Sequence, residues 1–354
     1  MTPGQRGSVD FGRRLWIVRL RDRVDGRIDI RTVTVCAALL LATAVVAVLA
    51  VGTGDYYVPP NEVLAAVFGD APRVTEIIVM EWRFPRVALA FLFGAALGVS
   101  GAVFQSLTRN PLGSPDIIGF ATGAYTGALV VILTLGGGYY RTGAGALVGG
   151  LATAAAVYLL AYKRGVQGFR LIIVGIGVSA MLASVNTWLV VKADLAEAIA
   201  AAVWGAGSLN GLGWAQVWPA LIVMAVITPC LAVLSRRLPM LEMGDDAARA
   251  LGVRAEPTRL MLVLLGVALI ALVTAAAGPI SFVALAAPQL ARRLTGTSGV
   301  AMVPAACMGA LMLVVSDVVA QRVFAPTQLP VGVVTVSVGG AYFVWLLARE
   351  GRKQ

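Results

Sequence analysis

The sequence contains no histidine, and only 18 of its 354 residues are acidic. Without histidine, the chain lacks the commonest protein ligand for metals and the side chain best suited to shuttle protons near neutral pH. Its three cysteines, Cys36, Cys230 and Cys307, all lie within apolar stretches. A disulfide framework or a thiolate metal site is therefore not expected.

The common motifs of catalysis are missing as well. No GxxxxGK[ST] loop is present, so the chain has no ATP-binding P-loop of its own, and neither HExxH nor a serine with a histidine base occurs. Acidic residues within the long apolar stretches are limited to Asp116 and Asp317, each near the end of its stretch. Pumps and secondary transporters usually keep carboxylates or histidines deep in the membrane, so ion coupling has few candidate groups here. We expect that the chain is not an enzyme.

Hydrophobic residues, in contrast, make up 59% of the chain and charged residues only 13%, with a mean hydropathy of +0.86. Their clustering predicts an all-α polytopic membrane protein with ten transmembrane helices. Glycine and alanine recur within these helices, which favours close helix contacts. The predicted spans cover about residues 33–51, 84–107, 116–135, 143–162, 170–191, 214–234, 260–277, 280–294, 300–320 and 331–348.

Positive charge is distributed unequally between the connecting segments. If both termini are cytoplasmic, 22 of the 28 lysine and arginine residues lie on the cytoplasmic side, as the positive-inside rule requires. The chain then divides into a cytoplasmic tail (1–32), a ten-span domain (33–349) and a short C-terminal tail (350–354). We expect a multi-pass protein of the plasma (inner) membrane.

Residues 235–259, here called the charged segment, form the longest charged interruption between spans. Gly244 or Asp245 is a suitable N-cap for a short helix, Asp245 and Arg249 are four residues apart, and Gly252 ends the pattern. So short a helix is not stable alone in water. The segment is either a solvated connector or a docking element for a soluble partner, with a small apolar face formed by Ala247, Ala248, Leu251 and Val253.

Four separated motifs resemble the permeases of iron-chelate and cobalamin importers, which are the membrane subunits of type II ABC importers. The resemblance extends from about residue 33 to the C-terminus, and the C-terminal half is most similar to permeases for ferric enterobactin and related catecholate siderophores. The motifs are RFPRVALAFLFGAALGVSGAVFQSLTRNPLGSPDIIG (83–119), GDDAARALGV (244–253), GPISFVALAAPQLARRLTG (278–296) and LPVGVVTVSVGGAYFVWLL (329–347).

This resemblance implies the type II importer permease fold and import of a ferric siderophore, driven by ATP hydrolysis on a separate subunit. The implied partners are two ATPase subunits, a second permease subunit (itself or a sister chain) and a substrate-binding lipoprotein. No cofactor, metal or nucleic acid is implied. Import of another large chelate, such as haem or cobalamin, is one alternative, and an ion-coupled secondary transporter is another.

The resemblance also implies residue roles. Docking to the ATPase falls on the motif in the charged segment. Contact with the binding protein falls on Arg83 and Arg86, with Arg322 as a third candidate, because Gln321 stands where relatives often carry arginine. Snorkelling to lipid headgroups is the other interpretation of these arginines. The predicted ATPase-coupling residues are Gly244, Asp245, Asp246, Ala247, Arg249, Leu251 and Gly252.

In this family the substrate path lies between two permease subunits and is lined largely by the fifth span. That span carries Ser179, Met181, Ser184 and Asn186. Ser179 and Asn186 share a helical face because they are seven residues apart. Contact with the path and hydrogen bonding between helices both remain open for Asn186.

Overall fold

The computed structural model describes residues 15–20, 23–54, 56–116, 118–162, 168–297, 299 and 301–351. Most of the described chain is helical. The longer helices are α1 (Ile30–Gly52), α4 (Phe84–Thr108), α5 (Phe120–Leu135), α6 (Tyr139–Ala161), α7 (Gly168–Lys192), α9 (Trp214–Ser235), α12 (Ala255–Ala277), α13 (Val283–Thr295), α14 (Met302–Arg322) and α15 (Val331–Gly351). The shorter ones are α2 (Pro60–Phe68), α3 (Arg73–Glu76), α8 (Leu195–Gly205), α10 (Leu238–Glu242), α11 (Asp245–Ala250) and a π-helical turn (Ile77–Arg83).

Helix α4 lies at the centre of the bundle, and most of its residues are buried. It packs against α14, α12, α13 and α9. Small residues permit this close approach, because a side chain at Gly94 or Gly98 would collide with the α14 backbone. Polar side chains link α4 to its neighbours: Ser100 donates to the Gly266 carbonyl at 2.8 Å, and Gln105 donates to the Leu285 carbonyl at 2.9 Å.

Each of the ten predicted spans coincides with one helix. Within the described residues, seven helices are long and apolar enough to cross a membrane, and their exposed side chains are largely apolar, as a lipid environment requires. The remaining three predicted spans fall on α5, α13 and α15. Helix α13 has 13 residues, or about 20 Å of length, which is shorter than the roughly 30 Å hydrocarbon core. It therefore enters the bundle from one end without crossing it alone.

The predicted N-terminal tail is only partly described. Residues 1–14 and 352–354 lie outside the described chain. Strands β1 (Leu15–Leu20) and β2 (Arg23–Asp29) form an antiparallel hairpin that leads directly into α1, which the sequence interpretation did not include. Arg31, at the start of α1, donates to the Leu294 carbonyl of α13 at 2.9 Å, so the start of α1 lies beside the end of α13.

Candidate functional site

The charged segment lies at one end of the bundle, between α9 and α12, and contains α10 and α11. Helix α11 begins after Gly244, whose φ is 118°, and is followed by Gly252, whose φ is 81°. Both values lie in the region that favours glycine over residues with a side chain. The predicted short helix between these two glycines is confirmed, with Gly244 at the N-cap.

The predicted pairing of Asp245 with Arg249 is wrong. Arg249 instead pairs with Asp246 at 3.2 Å, and both side chains point into solvent. Asp245 turns inward and accepts a hydrogen bond from Arg259 of α12 at 2.5 Å, while the Arg259 side chain is only 6% exposed. Asp245 faces inward because Arg259 is buried and needs a carboxylate to balance its charge. The exposed Arg249 needs one much less, since water already stabilises its charge.

A second arginine links the charged segment to the central helix. Arg109 follows α4 in a left-handed conformation, with φ of 51°. Its guanidinium lies 3.5 Å from the Asp245 carboxylate and donates to the Leu241 carbonyl at 2.7 Å. One turn earlier, the Ser106 hydroxyl donates to Glu242 at 2.6 Å. The charged segment and the end of α4 are therefore joined by three polar contacts.

No pattern in the sequence indicates this junction, although Arg109 begins the Arg-Asn-Pro sequence that follows the second predicted span. The partner residues are more than a hundred positions away in the chain, so no local pattern reveals the pairing. Mechanically, the junction can transmit a displacement of the charged segment to α4, and so to the centre of the bundle.

The predicted apolar face of the charged segment is divided between two directions. Ala248 and Val253 are buried in the hydrophobic core, which fixes the segment on the bundle. Leu251 is 57% exposed, and Met243, which sequence analysis did not include, is 63% exposed. The outward surface thus combines these two apolar side chains with the Asp246–Arg249 pair. A partially apolar, partially charged surface of this kind suits a soluble protein partner.

The opposite end of the bundle contains a pit, here called the arginine pit, with a volume of about 560 Å³. The three arginines that sequence analysis selected, Arg83, Arg86 and Arg322, all line it. They come from the π-helical turn, from α4 and from the end of α14. Gln321 and Gln328 also line the pit.

Arg86 forms an ion pair inside the wall of the pit. Its Nε and Nη2 atoms donate to Asp317 at 2.8–3.2 Å, and Nη1 donates to Gln328 at 3.0 Å. The Asp317 side chain is only 2% exposed. Gln321 donates a hydrogen bond to the same carboxylate at 2.8 Å. Because Arg86 already balances the charge of Asp317, a neutral amide at position 321 leaves no charge uncompensated. Arg86 is therefore paired within the wall of the pit, and its contact with a binding protein stays a prediction.

Arg83 is also engaged in the fold. Its guanidinium donates to the carbonyls of Val51 at 2.7 Å and Tyr56 at 2.5 Å, and a side chain at Gly54 would collide with it. Arg83 thereby fixes the end of α1 on the π-helical turn. Arg322 is exposed at the mouth of the pit and has no hydrogen-bond or ion-pair partner in the described part of the chain. Of the three arginines, Arg322 has the position expected of a contact residue.

Helix α7 corresponds to the fifth predicted span and is one of the least buried helices, with only Leu171, Gly175 and Asn186 buried. The Ser179 hydroxyl donates to the Gly175 carbonyl at 2.7 Å on the face that packs against α5. Asn186, on the same face, lies 3.4 Å from the Thr122 carbonyl of α5. Of the two interpretations of Asn186, this contact favours the link between helices.

Met181 and Ser184, in contrast, lie on the exposed face of α7. Ser184 satisfies its hydroxyl within the helix by donating to the Ala180 carbonyl at 3.0 Å. This face presents a few weakly polar groups among apolar side chains. Such a surface can contact a second membrane subunit or a large solute without binding either tightly.

The two acidic residues within the predicted spans have different surroundings. Asp317 is neutralised by Arg86. Asp116 lies in the connector between α4 and α5, and both of its carboxyl oxygens are buried without a standard hydrogen bond among the described residues. The described residues contain no cluster of three or more acidic or cysteine side chains suited to a metal ion.

Comparison with known proteins gives matches along nearly the whole chain. The FecCD transport family matches residues 39–349. The ferric enterobactin transport system permease protein FepG of Escherichia coli is 50% identical over 324 residues, covering 92% of this chain and 98% of FepG. The achromobactin transport system permease protein CbrC of Dickeya dadantii is 36% identical over 353 residues, covering 98% of this chain and 99% of CbrC. A solved inward-facing metal-chelate type ABC transporter has a TM-score of 0.78 at 27% identity, covering 89% of this chain and 99% of the other.

Proposed function

Because this chain belongs to the FecCD transport family, we propose that it is the membrane permease subunit of an ABC importer that brings a ferric siderophore into the cytoplasm. The observation that carries the proposal is the likeness to the ferric enterobactin permease, which extends over nearly the full length of both chains. It points to a catecholate siderophore as the substrate. Haem and cobalamin are the alternative large chelates.

The energy for import comes from ATP hydrolysis on two separate ATPase subunits. The outward surface of the charged segment, with Met243, Asp246, Arg249 and Leu251, is the docking surface for one of them. The inward contacts of Asp245 with Arg259 and Arg109 transmit its movement to α12 and α4. This chain forms the translocation path and undergoes the conformational change, and the ATPase subunits hydrolyse the ATP.

The charged segment faces the cytoplasm in this proposal, and both termini lie on the same side. The distribution of lysine and arginine supports this orientation. The contact of Arg31 with the end of α13 also brings the start of α1 to the charged-segment end of the bundle. The arginine pit then opens outward, where a substrate-binding lipoprotein docks.

We expect that changing Arg322 to glutamate weakens docking of the binding protein by roughly tenfold at low ionic strength, and much less at high salt. The reason is that exposed charges at the rim of an interface steer association and are screened by salt. The measurement is binding of the substrate-binding protein to the purified importer by surface plasmon resonance at two salt concentrations.

Lys192→Glu is the matched control, because Lys192 is a cation at the same end of the bundle but does not line the pit. Equal losses in both variants would mean that only the net charge of the surface matters. Unchanged affinity in Arg322→Glu would support the snorkelling interpretation instead.

The path for the siderophore runs along the exposed face of α7, between this chain and a second permease subunit. Met181 and Ser184 are the residues on this face from the predicted set. A large anionic chelate needs a wide and weakly binding path, because a tight site would retain it. The exposed face of α7 agrees with this requirement.

The deciding experiment is uptake of radiolabelled ferric enterobactin into proteoliposomes that contain the permease pair, with the binding protein supplied outside. We expect uptake only when the ATPase subunits and internal ATP are present. Uptake without ATPase that collapses with an ionophore would favour an ion-coupled secondary transporter. Asp116 is the buried carboxyl that such a transporter would use, so Asp116→Asn would then abolish uptake.

A further inference from the structure

A groove of about 490 Å³ runs between α6, α9 and α12, beginning at the end of the bundle where the arginine pit lies. Its polar side chains, Tyr139, Tyr140 and Gln216, are confined to the beginning of α6 and of α9. The rest of its wall is apolar. Between Tyr140 and Leu151, both of which line the groove, α6 rises by about 16 Å. The groove therefore extends from this end of the bundle to roughly the middle of a membrane.

Small residues line the groove, yet protein does not fill it. Glycine and alanine normally allow membrane helices to pack closely. Helices α6 and α12 do so at Gly143, where an added side chain would lie 2.6 Å from the Ala275 carbonyl. Between them and α9, however, Ala144, Ala215 and Ala268 border open space. Apolar side chains next to unfilled space lose their dispersion contacts, so an apolar occupant would be stabilised here.

Aromatic residues indicate the depth of the groove in the membrane. Tyr139 and Tyr140 contact each other with ring centroids 5.2 Å apart, and Trp214 and Trp218 do so at 6.1 Å. Tyrosine and tryptophan concentrate at the level of lipid headgroups, where one end of the ring is apolar and the other is hydrated. The groove thus opens at the headgroup level and descends into the hydrocarbon layer.

A cation that does not line the groove itself adjoins this opening in the sequence. Arg141 follows Tyr140 in the first turn of α6 and is exposed. It has no carboxylate or other hydrogen-bond partner in the part of the chain that the structure describes. A guanidinium group binds phosphate through paired, charge-assisted hydrogen bonds.

We propose that the groove is a binding site for one glycerophospholipid of the adjoining leaflet, with an acyl chain between α6, α9 and α12 and the phosphate on Arg141. The dimensions favour a lipid chain over a helix of a second protein. A helix has a diameter of about 10 Å, so it could rest on the groove but could not enter it. The exposed flanks, Val148, Trp218 and Ile222, are all large and apolar, without the polar rim of a protein interface.

The test uses the full-length chain purified in detergent, titrated with palmitoyl-oleoyl phosphatidylglycerol and examined by native mass spectrometry. We expect the wild-type chain to retain one phospholipid under conditions that remove the others. Ala144→Leu with Ala268→Leu fills the groove and is expected to lower the affinity for this lipid by roughly tenfold, the ratio that about 1.4 kcal/mol produces. Arg141→Gln is expected to weaken it, and Arg141→Lys to restore most of it.

The matched control is Ala156→Leu with Ala232→Leu, since both alanines are exposed on α6 and α9 but lie outside the groove. This variant is expected to retain the lipid, and inorganic phosphate is not expected to compete for the site. Equal lipid retention in the filled and control variants would overturn the proposal. So would a filled variant that changes oligomeric state while it still binds lipid, because the occupant would then be a second copy.

Discussion

Reversal of the charge at Asp245, by Asp245→Arg, is expected to abolish siderophore uptake while the ATPase subunits continue to bind and hydrolyse ATP. Asp245 is the carboxylate between Arg259 and Arg109, so its replacement brings three guanidinium groups together and leaves the buried Arg259 poorly compensated. The charged segment then separates from α4 and α12. We expect uptake to fall by roughly a hundredfold, which is about 2.7 kcal/mol in the coupled step. The measurement is the number of siderophores imported per ATP hydrolysed in proteoliposomes.

Asp246→Arg is the matched control, because Asp246 is the adjacent carboxylate in the same helix and its side chain is fully exposed. This variant is expected to weaken ATPase docking, so the rate of ATP hydrolysis by the complex and the rate of uptake both fall. The number of siderophores imported per ATP hydrolysed is then unchanged. Asp245→Glu keeps the charge and is expected to retain most of the uptake. If Asp245→Arg imports as many siderophores per ATP as the wild type, the junction does not transmit movement.

Gly244→Pro provides a disruptive comparison. Proline requires a φ near −65°, whereas Gly244 has a φ of 118°, so α11 cannot start in its present direction. We expect this variant to lose both ATPase docking and uptake. Loss of docking here, with retained docking in Asp245→Arg, would separate the outward and inward functions of the charged segment.

Replacement of Arg86 by alanine is expected to destabilise the whole bundle. The change leaves the Asp317 carboxylate, which is only 2% exposed, without its cation. Removal of one partner of a buried ion pair costs about 3–5 kcal/mol, because the remaining charge stays buried and uncompensated. The measurement is the free energy of unfolding or the Tm of the purified chain in detergent. Arg322→Ala, in the same pit but exposed, is expected to change stability by less than about 0.5 kcal/mol.

The double variant Arg86→Met with Asp317→Leu separates structure from docking. Apolar residues of similar volume can replace a buried ion pair with little loss, so stability is expected to return close to that of the wild type. Docking of the binding protein is then expected to be nearly normal. If Arg86→Ala is fully stable and only docking is weakened, Arg86 is a contact residue and its internal pair contributes little.

Much of the fold follows from local sequence pattern. The spans are stretches of about 20 apolar residues. The thickness of the membrane sets their length and its apolar interior sets their composition, so each span can be recognised from its own residues. Helix α11 was likewise predictable, because Gly244 and Gly252 have the backbone freedom that its two ends require. The hairpin β1–β2 was not predicted, since residues 1–32 were interpreted as a polar, arginine-rich tail.

The contacts of the candidate sites were much less predictable. Asp245 has Arg249 four residues away, and an isolated helix would favour that pair. The folded chain instead provides Arg259, whose burial makes it the stronger partner. Arg86 and Arg83 were recognised as unusual, but their partners lie far away in the sequence, at Asp317 and around the end of α1.

The sequence by itself determined the class of the protein, the positions of its membrane helices and the location of the charged segment. The membrane helices depend on the free energy of transferring apolar residues into lipid, and the short helix of the charged segment depends on the backbone preferences of its glycines. Both are properties of individual residues, so they can be read from the sequence. Only the tertiary structure decided which charges are free and which are paired. An ion pair depends on distance and burial in three dimensions, so Arg86 and Asp245 each pair with a side chain from another helix. Arg322, in contrast, has no partner among the described residues, and Asp246 pairs only within its own exposed helix.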